Sequence, residues 1–207
     1  MNRSHDTGAM SRAPGISISP GAESSGKKRL EAISAALRQE IGTSGENIAG
    51  RKVRVTRLRM GIDITWVTVR IGVGGGIWTK ENMAAVARAG ITHIIDMQIE
   101  FDDTLLAAPL GIAVCWNPVD DDFEPKPAEV FARGVEFALA ALEQDETKLF
   151  VHCAAGVHRA PMMTLALLGV MGWTLEDAME LIEGLRPVAD FAEVYVRSVE
   201  EFLRGRS

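Results

Sequence analysis

The chain has 207 residues, 47% hydrophobic and 24% charged, the balance of a globular domain with a substantial core. Its net charge of −6 argues against general binding to nucleic acid or an anionic membrane, so any positive field for an anion must be local. Two cysteines, Cys115 and Cys153, support no disulfide scaffold and suit a reducing, cytoplasmic setting; no apolar run is long enough to span a bilayer, and the first residues lack a signal-peptide core.

Residues 1–26 are rich in Ser, Gly and Pro and predict a flexible tail. Leu30, Ile33, Leu37 and Ile41 recur at helical spacing, so 27–50 reads as an amphipathic helix and a linker, and 51–207 as the main domain. Alternation from Lys52 to Met60 predicts a strand. Ile62 to Val73 reads as a second, continuous strand before the loop Gly74-Gly75-Gly76. Thr79 is placed to cap a helix from Lys80 to Ala89, closed by Gly90. Ile91 to Met97, bounded by the charged run Glu100 to Asp103, is a buried strand. A short helix near Thr104 to Ala108 and a strand from Ile112 to Pro118 follow, then the carboxylates Asp120, Asp121 and Asp122.

Pro127 to Gln144 carries the broad apolar face of a long helix. Lys148 to Val151 is a short buried strand, and Met162 to Met171 an apolar helix with Pro161 in its first turn. Thr174 and Asp177 form a capping pair for a helix ended by Gly184 and Pro187. Phe191, Val194, Val199, Phe202 and Leu203 mark a last one. Strands alternating with helices predict an α/β fold, a three-layer sandwich with a mainly parallel central sheet flanked by helices. Such sheets bind ligands beyond the carboxyl ends of their strands.

The chemistry concentrates between His152 and Arg159. A strand, a tight loop and a helix start gather backbone N–H groups at the positive end of a helix dipole, a site for a phosphate-like dianion. Ala154, Ala155, Gly156, Val157, His158 and Arg159 would form that cradle. The loop opens on Cys153, where N–H groups and a guanidinium favour a thiolate nucleophile. It closes on Arg159, which can fork two phosphate oxygens. Nucleophile, cradle and fork together point to phosphoryl transfer onto sulfur. A departing alkoxide then needs a proton from a carboxylic acid on a loop that reaches the pocket.

His152-Cys153-x5-Arg159 with Gly156 inside resembles HCxxGxxR, the signature of the cysteine-dependent protein tyrosine phosphatases. The flanks over 63–204, including Ala89-Gly90-Ile91-Thr92-His93-Ile94-Ile95-Asp96, are similar to the dual-specificity branch. The resemblance implies a phosphotyrosine protein phosphatase-like fold, Cys153 as nucleophile, and His152 as support behind the loop. It places the general acid at Asp121, 153 − 121 = 32 residues upstream, after Asn117-Pro118-Val119, with Asp120 and Asp122 as alternatives. It implies hydrolysis of phosphate monoesters, phosphotyrosine with phosphoserine and phosphothreonine, through a cysteinyl-phosphate, with no metal or cofactor. The implied partner is a phosphorylated protein or a small phosphomonoester, with no nucleic acid or membrane.

Ala160 departs from the pattern. Most of the family has Ser or Thr there, and its hydroxyl stabilises the departing thiolate of the second step, so slower breakdown of the intermediate is expected. Plant glucan phosphatases share Arg-Ala-Pro, which keeps a phosphoglucan, an inositol phosphate or an RNA end as alternative substrates. A catalytically weak, phosphate-binding pseudophosphatase is the alternative of a different class. Cys115, mid-strand, is expected in the core, and Trp66, Trp78, Trp116 and Trp173 as packing residues.

Overall fold

The computed structural model describes residues 61–206 together with Ala32 and Ala35, which are helical and exposed. The tail, the linker, the rest of the helix expected over 27–41 and the strand expected over Lys52 to Met60 lie outside the described residues.

β1 (Ile64–Trp66) and β2 (Ile71–Gly74) form an antiparallel hairpin. β2 then pairs in parallel with β5 (Leu149–His152), β5 with β3 (His93–Asp96), and β3 with β4 (Ala113–Trp116), giving the order β1-β2-β5-β3-β4. The single strand expected over Ile62 to Val73 is therefore two. No Gly, Pro or Asn marks the turn; Thr68 makes it. Its Oγ1 accepts the N–H groups of Arg70 (3.1 Å) and Ile71 (2.9 Å), while Val67 N–H donates to Ile71 O at 2.9 Å. Gly74 lets the hairpin ends close, since a Cβ there would lie 1.8 Å from Asp63 O.

The helices follow the predicted order: α1 (Lys80–Arg88), α2 (Thr104–Ala107) with a 3-10 turn (Ala108–Leu110), α3 (Ala128–Leu142), α4 (Arg159–Val170), α5 (Leu175–Leu185) and α6 (Glu193–Arg204). Thr79 caps α1 through Asn82 N–H, and Thr174 caps α5 through Asp177 N–H. Gly184 lies inside α5 instead of ending it, and the chain turns at Arg186.

Burial alternates along β5 and defines the layers. Leu149 and Val151 pack with Val73, Ile95 and helix residues Phe131, Val135, Leu165 and Val199. Phe150 faces the other way, with Ile94 and with Met83 and Val86 of α1. The result is an α/β fold whose mainly parallel sheet is flanked by helices on both faces. In α4 every residue from Arg159 to Leu168 is buried, as expected of a helix apolar on all sides.

One row of the register positions the site. Gly74, His152 and Asp96 stand side by side at the carboxyl ends of three parallel strands. The loops leaving these strands, which carry Gly76, Cys153 and Glu100, therefore start from one line. Among the described residues no helix is long and apolar enough to cross a membrane.

Candidate active site

The loop from Cys153 to His158 is shaped from outside. Its four consecutive carbonyls are all engaged: Ala154 O by Gly76 N–H (3.0 Å), Ala155 O and Gly156 O by the Arg186 guanidinium (3.4 and 2.7 Å), and Val157 O by Asp190 N–H (2.9 Å). With carbonyls tied outward, Gly156 N–H turns inward and donates to Cys153 Sγ at 3.2 Å. The cysteine is buried, at 1% exposure. Gly156 has φ +66°, and a Cβ there would lie 2.5 Å from the Gly74 carbonyl carbon. No other residue fits both demands.

Arg159 opens α4 and is 2% exposed. Glu100 meets the end of its guanidinium bidentately, accepting from Nη1 at 2.9 Å and Nη2 at 2.8 Å. Nη1 also donates to Val119 O at 3.1 Å. Burial works against the arginine's charge, but the Glu100 bonds and the fields of Cys153, Glu100 and Asp121 raise its pKa above the ordinary value. Arg159 in turn holds the Glu100 carboxyl below the usual carboxylate range. Nε is a buried donor with no hydrogen-bond partner among the described residues.

Asp121 is the acidic-turn residue that faces this centre. Its Oδ2 lies 3.7 Å from Arg159 Nε and 3.1 Å from His158 Nδ1, and its Oδ1 accepts from Tyr195 OH at 3.1 Å. Asp120 is exposed. Asp122 is paired with Lys126, whose hydrogen bond holds its carboxyl low. The His158 ring points at carboxylates rather than into the cradle: Nε2 lies 3.3 Å from Asp190 Oδ2.

His152 stands behind the loop, fully buried, its Nε2 3.0 Å from Asp103 Oδ2 and 3.8 Å from Asp96 Oδ1. The donor atoms of Asp96, Asp103 and His152 lie within 4.8 Å of one another, a cation-site composition, but both Asp96 oxygens already accept N–H groups, from Gln98 (2.9 Å) and Asp103 (3.2 Å). Burial pushes the Asp96 carboxyl up to about 6, against the pull of His152.

Several partners escaped the sequence reading. Glu100 appears there only as a strand boundary, and Arg186, Asp63, Asp190 and Tyr195 not as site residues. Arg186 spans the chain, bonding Asp63 at 3.0 and 2.6 Å and Thr65 Oγ1 at 3.1 Å. Trp78 and Trp116, expected as packing residues, are 46% and 42% exposed. Trp78 has φ +62° and meets Phe101 at 6.1 Å, and Trp116 hangs on Gln98 O by its Nε1–H. Cys115, expected in the core, is half-buried on β4 at the sheet's edge, where burial pushes its thiol up.

Comparison with known proteins locates the same region. The family described as "Dual specificity phosphatase, catalytic domain" matches residues 77–204. A protein-tyrosine-phosphatase of Arabidopsis thaliana, IBR5, is 30% identical over 64 residues, which is 30% of this chain and 25% of that protein, so the match spans a quarter of that relative. Among solved structures, DUSP15 superposes with TM-score 0.59 at 25% identity over 69% of this chain and 88% of its own. Human DUSP28 gives 0.59 at 20% identity over 70% and 95%, and PTPMT1 0.59 at 21% over 69% and 94%.

Proposed function

The chain belongs to the dual-specificity phosphatases of the protein tyrosine phosphatase superfamily, and from that membership we propose that it hydrolyses phosphate monoesters through a cysteinyl-phosphate formed on Cys153. The observation that carries the reading is the convergence on one loop of a buried thiol beneath an inward N–H, the unpartnered Arg159 Nε, and the Asp121 carboxyl 3.7 Å from that nitrogen. Arg159 receives phosphate oxygens along its Nε edge while Glu100 holds its other end. The Cys153 sulfur attacks phosphorus, the bond to the leaving oxygen breaks, and Asp121 gives that oxygen its proton. Asp121, now a carboxylate, takes a proton from the water that hydrolyses the thiophosphate and frees the sulfur. No step in this scheme calls on a metal or cofactor.

The proposed substrate is a phosphorylated protein, with phosphotyrosine accepted and phosphoserine and phosphothreonine also within reach. A reducing, cytoplasmic setting belongs to the same proposal, because the nucleophile works only as a free thiol. The test is turnover of an aryl phosphate in EDTA by the wild type and by Cys153→Ser. Turnover that survives chelation and vanishes with the substitution supports the reading. Metal-dependent turnover, or turnover that survives in Cys153→Ser, overturns it.

A further inference from the structure

Asp121 is held by Tyr195 on one oxygen and by the His158–Asp190 pair on the other. Tyr195 OH donates to Oδ1 at 3.1 Å and itself accepts Phe123 N–H at 2.9 Å. His158 Nδ1 stands 3.1 Å from Oδ2, and Asp190 takes the other ring nitrogen at 3.3 Å. Asp190 is fixed in turn by its own N–H on Val157 O. Phe123 packs against both rings, stacked on Tyr195 at 5.8 Å with an 11° tilt and edge-on to His158 at 5.0 Å. One turn along α6, Ser198 Oγ accepts Lys126 N–H at 3.0 Å. The acid loop is therefore pinned to α6 at two points and tied to the signature loop by an imidazole.

We propose that Tyr195 and the His158–Asp190 pair are positioning residues that fix Asp121 for proton delivery to the leaving oxygen. The proposal rests on the reading of Asp121 as the general acid. With Oδ1 accepting from the tyrosine hydroxyl, Oδ2 is the oxygen that faces Arg159 and the incoming substrate. The Asp190 carboxylate, 3.3 Å from Nε2, holds the imidazole ring in place, so that Nδ1 stays 3.1 Å from Oδ2. When the leaving oxygen arrives, the Asp121 proton moves to it as the P–O bond breaks and the bond's electron pair stays on oxygen. Burial and the charges of Asp121 and Asp122 push the Tyr195 hydroxyl up to about 12, so it stays a donor throughout the neutral range. Positioning matters here because a displacement of about 1 Å can cost on the order of 100-fold in rate.

The experiment is kcat/KM for a series of aryl phosphates of rising leaving-group pKa, measured for the wild type, Tyr195→Phe, Asp190→Asn and each combined with Asp121→Asn. The Asp190 side chain is 64% exposed, so its variant tests the clamp without disturbing packing, and Tyr195→Phe keeps the buried ring. Each single variant is expected to lose about tenfold on unactivated phenyl phosphate, part of the ~100- to 10,000-fold of a general acid, with the loss shrinking as the leaving group improves. In the Asp121→Asn background the further loss should disappear. A loss equal across the series, or one that adds fully to Asp121→Asn, would overturn the clamp while leaving the phosphatase reading intact. Absence of Cys153-dependent turnover in the wild type would overturn both.

Discussion

At the scale of single residues, the site depends on groups that have no freedom to be anything else. Gly156 must hold φ +66° against the Gly74 carbonyl, so Gly156→Ala displaces either the loop or β2. The strained conformation alone costs about 1–3 kcal/mol, and a larger loss of turnover is expected because the inward N–H moves off the sulfur; paired denaturation and kinetic measurements check both. Glu100 is a different case, half-exposed and outside the signature, yet it holds the Nη1 and Nη2 end of the Arg159 guanidinium. Glu100→Gln keeps one acceptor and loses the charge. Weaker competitive inhibition by inorganic phosphate, roughly three- to tenfold, is expected as the guanidinium loses its orientation, in line with the ~0.5–1.5 kcal/mol net of a typical hydrogen bond. At Ala160, buried at the head of α4, restoring the family's hydroxyl with Ala160→Ser should speed breakdown of the phosphoenzyme, seen as a smaller pre-steady-state burst.

At the scale of elements, the signature loop is held by segments distant in sequence. Arg186, just past α5, joins Asp63 and Thr65 of the hairpin to the carbonyls of Ala155 and Gly156. Its guanidinium serves as a buried bracket, 3% exposed, and a lysine cannot reproduce the fork. Arg186→Lys is expected to lower stability by about 2–4 kcal/mol, through the carbonyls and carboxylate left unpaired, and to loosen the loop enough to cut turnover at temperatures where the domain stays folded. Thermal unfolding with vanadate added and omitted would separate the two effects. This bracket was not legible in the sequence for a physical reason. Helices and the parallel strands announce themselves by period, and the signature loop by a local pattern. A contact between residue 186 and residues 63, 65, 155 and 156 leaves no period and no spacing. The same holds for Glu100 and Tyr195. The hairpin was missed differently, because a threonine hydroxyl closes it where glycine or asparagine would have been read as a turn.

At the scale of the whole molecule, the active loop and the global fold share one buried electrostatic group. Asp96 ends β3, His152 ends β5 beside it, and Asp103 reaches the same point from the start of α2, all three without solvent exposure. Burial raises the Asp96 carboxyl from its ordinary value of 3.8 to about 6, so in that interval the folded chain binds a proton that the unfolded chain has released. Stability from this group is therefore complete below the unfolded value near 4, declines as pH rises, and is lost above about 6, a change of up to about 3 kcal/mol for two pKa units. Glu100 and Asp122, whose carboxyls are held low, act with the opposite sign, contributing stability at neutral pH that is lost in acid. The raw pH profile therefore mixes the two, and the comparison that isolates Asp96 is wild type against Asp96→Asn by urea denaturation from pH 4 to 8. The variant loses one N–H acceptor at every pH, a constant offset. On top of it, the wild type should lose ground to the variant steadily between about pH 4 and 6 and no further above that range. A difference that stays flat across the whole interval would mean that His152 keeps Asp96 ionised, and that the group behind the signature loop is a permanent ion pair instead of a titrating one.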